Sequence, residues 1–167
     1  MTGSNGEKKM GMSDPAIERG FPGLLLKGYK ITSPINALYN CIAWAAGNKN
    51  YWWEPTNGAG YYWPPNIPRE YTLDAYVQAY QTLGYEECDN YALERGIEKV
   101  AILVKNGIPQ HATRQLKSGK WTSKLGRNKD ISHELSGIEG RSYGQVAVIL
   151  KRYRNPLKRA VMRYITG

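Results

Sequence analysis

Only two cysteines, Cys41 and Cys88, occur in 167 residues, so no disulfide framework can organise this chain, although one bridge is available to it. Histidine is equally scarce. His111 and His133 beside two thiols make a poor donor set for a zinc cage, and neither a metal nor a cofactor is expected. No apolar run approaches the ~20 residues that cross a bilayer, and Leu24-Leu25-Leu26 is the longest near the N-terminus. A membrane span is therefore not expected. Residues 1–12 carry Lys8 and Lys9 with no apolar segment behind them, so the pattern of a secretory signal is missing and the cytoplasm is the expected compartment. Phenylalanine occurs once against 13 Tyr and 5 Trp, so nearly all the aromatic surface brings a hydroxyl or indole donor with it, which suits a polar cleft or an interface. Acids are absent from residues 151–167, where Lys151, Arg152, Arg154, Lys158, Arg159 and Arg163 account for six of the net charge of +9. The basic character is mostly that tail. A tail of this kind can meet phosphate, but no interleaved aromatics accompany it, and a solubilising role fits it better than nucleic-acid binding.

The hydrophobic content of 41% and charged content of 22% are those of a globular domain, and the length fits one domain with appendages. Residues 1–12, rich in Gly, Ser and Lys, read as a tail outside the fold, residues 13–155 as a single domain, and residues 156–167 as a basic tail or short helix bearing Leu157, Val161 and Ile165. Ser13-Asp14-Pro15 starts a short helix that Gly20 to Pro22 stops, with an extended segment over 24–31. Ala43-Trp44-Ala45-Ala46, apolar on every side and closed by Gly47, predicts a helix surrounded by protein, with Cys41 in its first turn. Residues 48–68, with three Trp and four Pro, predict a long loop pinned by rings. Thr72 caps a helix to Leu83. Strands follow over 99–104, 111–116, 121–125 and 144–153, turned by Asn106-Gly107 and Ser118-Gly119. The predicted class is α+β, an N-terminal buried helix packed on an antiparallel sheet.

A thiol at a helix N-terminus has its thiolate favoured by the dipole and by free N–H groups, which makes Cys41 the candidate nucleophile and leaves Cys88 inert. His111, entering from a strand, is the candidate base. Helix-borne cysteine followed by sheet-borne histidine resembles the order of the papain-like cysteine peptidases and their hydrolase and acyltransferase relatives, without papain's glutamine–glycine–cysteine signature. More locally, Tyr39-Asn40-Cys41-Ile42-Ala43-Trp44-Ala45, with His111-Ala112 through Arg114-Gln115-Leu116 and Trp121-Thr122-Ser123-Lys124-Leu125-Gly126, resembles an uncharacterised bacterial family over roughly residues 21–152. The papain-like likeness implies a thiol-dependent hydrolase or acyltransferase acting on a peptide or small amide.

Such a site needs a group to orient the imidazole. A two-residue Ser118-Gly119 turn sets His111 opposite Gly126, on one face with Thr113, Thr122 and Lys124, and nominates Asp130, with Asn128 as the neighbour in reach. A one-residue bulge favours Ser123 instead. The oxyanion donors are then the Cys41 N–H and the amide of Asn36 or Asn40, although Asn40 serves equally as a helix cap. Trp52, Trp53 and Trp63 are candidate substrate walls, Lys124 a candidate anion contact, and His133 a loop contact. The competing reading is a binding module without catalysis, in which the aromatic loop or the basic tail holds a protein or nucleic-acid partner and Cys41 is merely buried.

Overall fold

The computed structural model describes residues 13–166, with side chains as far as Val161, so the expected tail over 1–12 lies outside the described residues. Asp14 caps α1 (Pro15–Gly20) by accepting from the N–H groups of Ala16 and Ile17. Where an extended segment was expected, Pro22 at a first helical position starts a second helix, α2 (Pro22–Lys27). It buries Leu24 completely and leaves only Tyr29–Ile31 as strand β1. The apolar helix α3 (Cys41–Ala45) forms with Asn40 as its cap, and α4 (Leu73–Gln81) with Thr72 as its cap. Between them the aromatic segment makes a two-stranded parallel ribbon, β2 (Trp52–Trp53) and β3 (Tyr61–Tyr62).

The remaining strands are β4 (Glu86–Cys88), β5 (Ile97–Lys105), β6 (Ile108–Gln115), β7 (Trp121–Lys124), β8 (Asp130–His133) and β9 (Gln145–Tyr153). A 3-10 turn (Leu135–Ile138) follows β8, and α5 (Pro156–Thr166) follows β9. β1 and β4–β9 form a seven-stranded sheet in the order β1-β8-β7-β6-β5-β9-β4, with every neighbouring pair antiparallel. The fold is thus mixed α and β, built on a large antiparallel sheet with few helices. β4 and β8 have no counterpart in the sequence expectations.

Two turns set the register. At Asn106-Gly107 both residues have positive φ, 52° and 78°, the tight turn whose twist matches a hairpin. The second turn is one residue longer than expected: Leu116 N–H donates to Lys120 O across Lys117, Ser118 and Gly119, with Gly119 at φ 91°. Arg114 therefore pairs with Thr122 and Gln115 with Trp121, one residue away from the predicted register.

The sheet is covered on both faces. On one face α3 and α4 pack over Val100, Ile102, Ala112 and Leu150. On the other, Ile17 of α1 and Leu24 of α2 meet Ile31, Leu103, Ile131 and Ile138, with Ala101, Trp121 and Ile149 further along. Among the described residues no helix is long and apolar enough to cross a membrane, and Cys41 and Cys88 are both free thiols.

Candidate functional site

Cys41 stands where the sequence puts it, at the start of α3, and is only 9% exposed. The backbone N–H groups of Ala112 and Ile42 point at its sulfur and favour the thiolate, but burial outweighs them and, with Glu54 nearby, pushes the thiol up to about 11. Alternation along β6 turns Ala112 and Arg114 toward α3, where Arg114 lies over the Trp44 ring, and turns His111, Thr113 and Gln115 to the opposite face. His111 therefore does not meet Cys41. The pair required for thiol activation is divided by the sheet itself, and no hydrogen bond joins the two.

His111 belongs to a buried polar chain beneath α2 and the 3-10 turn. Its Nε2 lies 2.8 Å from Ser123 Oγ, and Ser123 Oγ lies 2.7 Å from His133 Nε2. His133 Nδ1 is 2.7 Å from the Glu134 carbonyl, which can only accept. The Ser123 hydroxyl has a single proton for two neighbours, His133 Nε2 and Thr113 Oγ1; given to His133, it completes the order in which His133 Nδ1 donates to Glu134 O and His111 Nε2 donates to Ser123, while Thr113 donates to the Thr122 carbonyl. Both imidazoles are then neutral. Burial holds His111 well below the usual histidine range, with His133 adding to the effect, and brings His133 down to about 4. The ring of His111 stacks on Tyr143 at 4.1 Å. Of the three predicted orienting groups it is Ser123, the bulge alternative, that touches His111, because the longer turn moved the register by one residue.

Asp130 instead faces α3. Its Oδ2 accepts from Tyr39 Oη at 2.8 Å and its N–H donates to Ser33 Oγ at 2.8 Å. Burial raises its carboxyl, against the Tyr39 bond and Lys124. Lys124 is not the exposed anion contact envisaged: its side chain is buried, Nζ donates to Gly126 O at 2.7 Å, and it lies 5.1 Å from the Tyr39 ring centre. Asn128 likewise turns its amide oxygen to the Lys129 N–H. Of the oxyanion candidates, Asn40 has its donor committed elsewhere, while Asn36 engages only its acceptor oxygen. Asn40 Oδ1 accepts from Ala43 N and Trp53 N while its Nδ2 donates to Trp53 O, and Asn36 Oδ1 accepts from Leu38 N. His133, read as a loop contact, is a buried strand residue.

The aromatic segment divides. Trp53 and Trp63 are core residues, so neither is a substrate wall. Trp52 is half-buried, anchored by its indole N–H to Ala37 O at 2.7 Å with the Arg127 guanidinium 4.9 Å above its ring. Around it lie exposed Tyr51, Tyr61, Tyr62 and Tyr71, and beyond Ala37 the exposed Ile35 and Leu38. Tyr62 packs on Trp53 at 4.9 Å and on Tyr51 at 6.3 Å, and Tyr71 donates to Glu54 at 2.9 Å. Alternation sets Trp52 with Tyr61 on one side of the ribbon and Trp53 with Tyr62 and Tyr51 on the other, so the exposed rings flank the ribbon on both sides and form an apron beside the N-terminus of α3.

The chain also has a likeness among known sequences: the family described as a domain of unknown function, DUF7689, matches residues 30–151. No curated protein and no solved structure matches.

Proposed function

The chain belongs to the DUF7689 family, a domain of unknown function, and on that premise we propose that it works by binding, holding a protein partner on the apron around Trp52. The observation that carries this reading is the concentration of exposed rings, Tyr51, Tyr61, Tyr62 and Tyr71, in and beside the ribbon that holds Trp52, whose ring is fixed at its edge by Ala37 O and covered on one face by Arg127. Rings of this kind offer wide contact area with few torsions to freeze, and Tyr and Trp are enriched where proteins meet. A protein suits the apron better than a nucleic acid, because its own cations are engaged, Arg127 over the Trp52 ring and Arg69 on the Thr56 carbonyl, Glu54 stands among the rings, and the run of basic residues belongs to β9 and α5. Cys41 is then a core residue whose thiol stays protonated at neutral pH.

The test is selection from displayed random peptides against the folded domain. Binding predicts a consensus that is recovered with wild type and Cys41→Ser and lost with Trp52→Ala combined with Tyr62→Ala. A consensus indifferent to the ring substitutions, or none, overturns it.

One observation favours a second reading, thiol-dependent hydrolysis or transfer at an amide in the papain-like manner. The Cys41 sulfur faces two backbone N–H groups, and Lys124 is near enough to sense its charge. In that reading Lys124, not His111, takes the thiol proton. Release of nitrophenolate from p-nitrophenyl acetate that vanishes in Cys41→Ser supports it. Equal rates in the two proteins reject it.

A further inference from the structure

The helix α5 meets the rest of the fold by a basic side chain and turns its apolar ones away. Asn155 caps it by accepting from the Leu157 N–H at 2.9 Å, and Pro156 occupies the first helical position. Arg159 then folds back over the end of β9, where Nε donates to the Tyr153 carbonyl and Nη2 donates to the Arg154 carbonyl at 2.7 Å, its stem running past Gly84 behind α4. Leu157 and Val161 lie two residues to either side of Arg159, hence on the far side of the helix, and are 76% and 57% exposed. With Tyr153 and Lys158 they line an open groove of about 360 Å³, and Ile165 continues the spacing of four in the sequence. An ordinary surface helix turns its apolar stripe to the core. A helix of 11 residues is marginal in water unless a face is covered, so this stripe requires a surface from outside the fold.

The charge around the stripe identifies that surface. Residues 151–167 hold six basic residues and no acid. Glu98 is shared by Arg152 at 3.0 Å and Arg154 at 3.2 Å, so one carboxylate answers two guanidinium groups, and Arg159 bonds carbonyls rather than a carboxylate. Lys151 has Glu86 opposite it on β4, whereas Lys158, exposed beside Leu157, enters no ion pair among the described residues. We propose that α5 lies on the surface of an anionic phospholipid bilayer, with Leu157 and Val161 entering the boundary between headgroups and acyl chains and Lys158 among the phosphates. Strong amphipathicity, low net hydrophobicity and basic flanks are what such a helix needs. Tyr153 at its start suits the headgroup level, and 11 residues are too few to span a bilayer. A second copy of the chain would set two positive segments against each other, and a nucleic acid would leave the apolar stripe uncovered. The site shares no residue with the apron, so either assignment can fail alone.

The experiment is co-sedimentation of the full chain with vesicles of phosphatidylcholine alone or with about 30% phosphatidylserine, which supplies the negative surface potential. Retention is expected on the anionic vesicles, at least about tenfold weaker on the neutral ones, and falling as salt rises from about 0.05 to 0.5 M. Leu157→Ser combined with Val161→Ser keeps every charge and, at exposed positions, the fold, which urea unfolding checks. This double variant is expected to bind at least about tenfold more weakly, the scale of two apolar side chains no longer taken from water. Lys158→Gln is expected to cost about fivefold, the scale of one basic residue at such a surface. A double variant that binds as tightly as wild type, equal binding to neutral vesicles, or no retention on either overturns the assignment. So does a wild-type dimer that the double substitution dissolves, or capture of an acidic amphipathic peptide where vesicles are ignored, since these give the stripe to a second copy or to a protein.

Discussion

The two faces of the seven-stranded sheet are both covered, yet they use polar groups differently. On the α3 face polar side chains are distributed, each tied to a different element: Trp44 to Thr122, Tyr39 to Asp130, Tyr80 to the Ile42 carbonyl. On the other face His111, Ser123, Thr113 and His133 are joined in one chain without an exposed member. Losing one member of the distributed set strands one partner. Losing a member of the chain strands several and leaves neutral imidazoles in a site that cannot solvate their charge.

Acidification gives the largest difference between the faces. His133, down to about 4 when folded against about 6.5 unfolded, binds fewer protons in the native state across that interval. Its contribution is whole above pH 6.5 and is lost as pH falls toward 4, about 3 kcal/mol from this one group. His111 acts in the same direction. Urea unfolding from pH 7 to 4 should show stability falling steeply, and His133→Gln should flatten that slope. An unaltered slope would place the titrating group elsewhere.

Substitution of Ser123 should come next. Ser123→Ala removes the shared hydroxyl, leaves His111 Nε2 unpartnered in the interior and leaves His133 Nε2 only the Thr113 hydroxyl at 3.5 Å, costing about 3 kcal/mol in denaturant unfolding. On the α3 face Thr122→Val removes only the acceptor of the Trp44 indole, 3.0 Å away, at a cost of about 1 kcal/mol. Similar costs for the two would erase the distinction between a joined and a distributed polar face. Smallest of all is Lys120→Ala, at the rim, where the ion pair with Glu134 is about half exposed on both sides. It should change stability by no more than about 0.5 kcal/mol.

Much of this arrangement could be read in the chain where local chemistry decides. Asp14 before Pro15, Asn40 before Cys41 and Thr72 before Leu73 each cap the helix they announce. Asn106-Gly107 turns as its composition requires. The rest depended on distant partners. Asp130–His133 is a short polar alternation that becomes a central strand only because β1 and β7 flank it, and Glu86–Cys88 is a strand only beside β9. Leu24 is helical because the 3-10 turn gives it a surface to bury against, and Gly23 is close enough to Gly137 that a side chain there would clash. The group beside His111 was decided by one residue of turn length, the loop at Lys117-Ser118-Gly119 exchanging Asp130 for Ser123, and the division of His111 from Cys41 does not depend on that turn. Side-chain parity along β6 then put His111 and Ala112 on opposite faces, with Cys41 above the second. A strand's period of two makes such an error total, since every side chain is either on a face or off it.

Separation of Cys41 from His111 is tested most directly by the rate of iodoacetamide alkylation against pH, followed at Cys41 in wild type and in His111→Gln. A core thiol predicts a midpoint near 11, well above the ~8.5 of a free cysteine, and the same midpoint in the variant. A midpoint below that of a free cysteine, rising when His111 is replaced, would contradict it and restore the imidazole as the partner of the thiol.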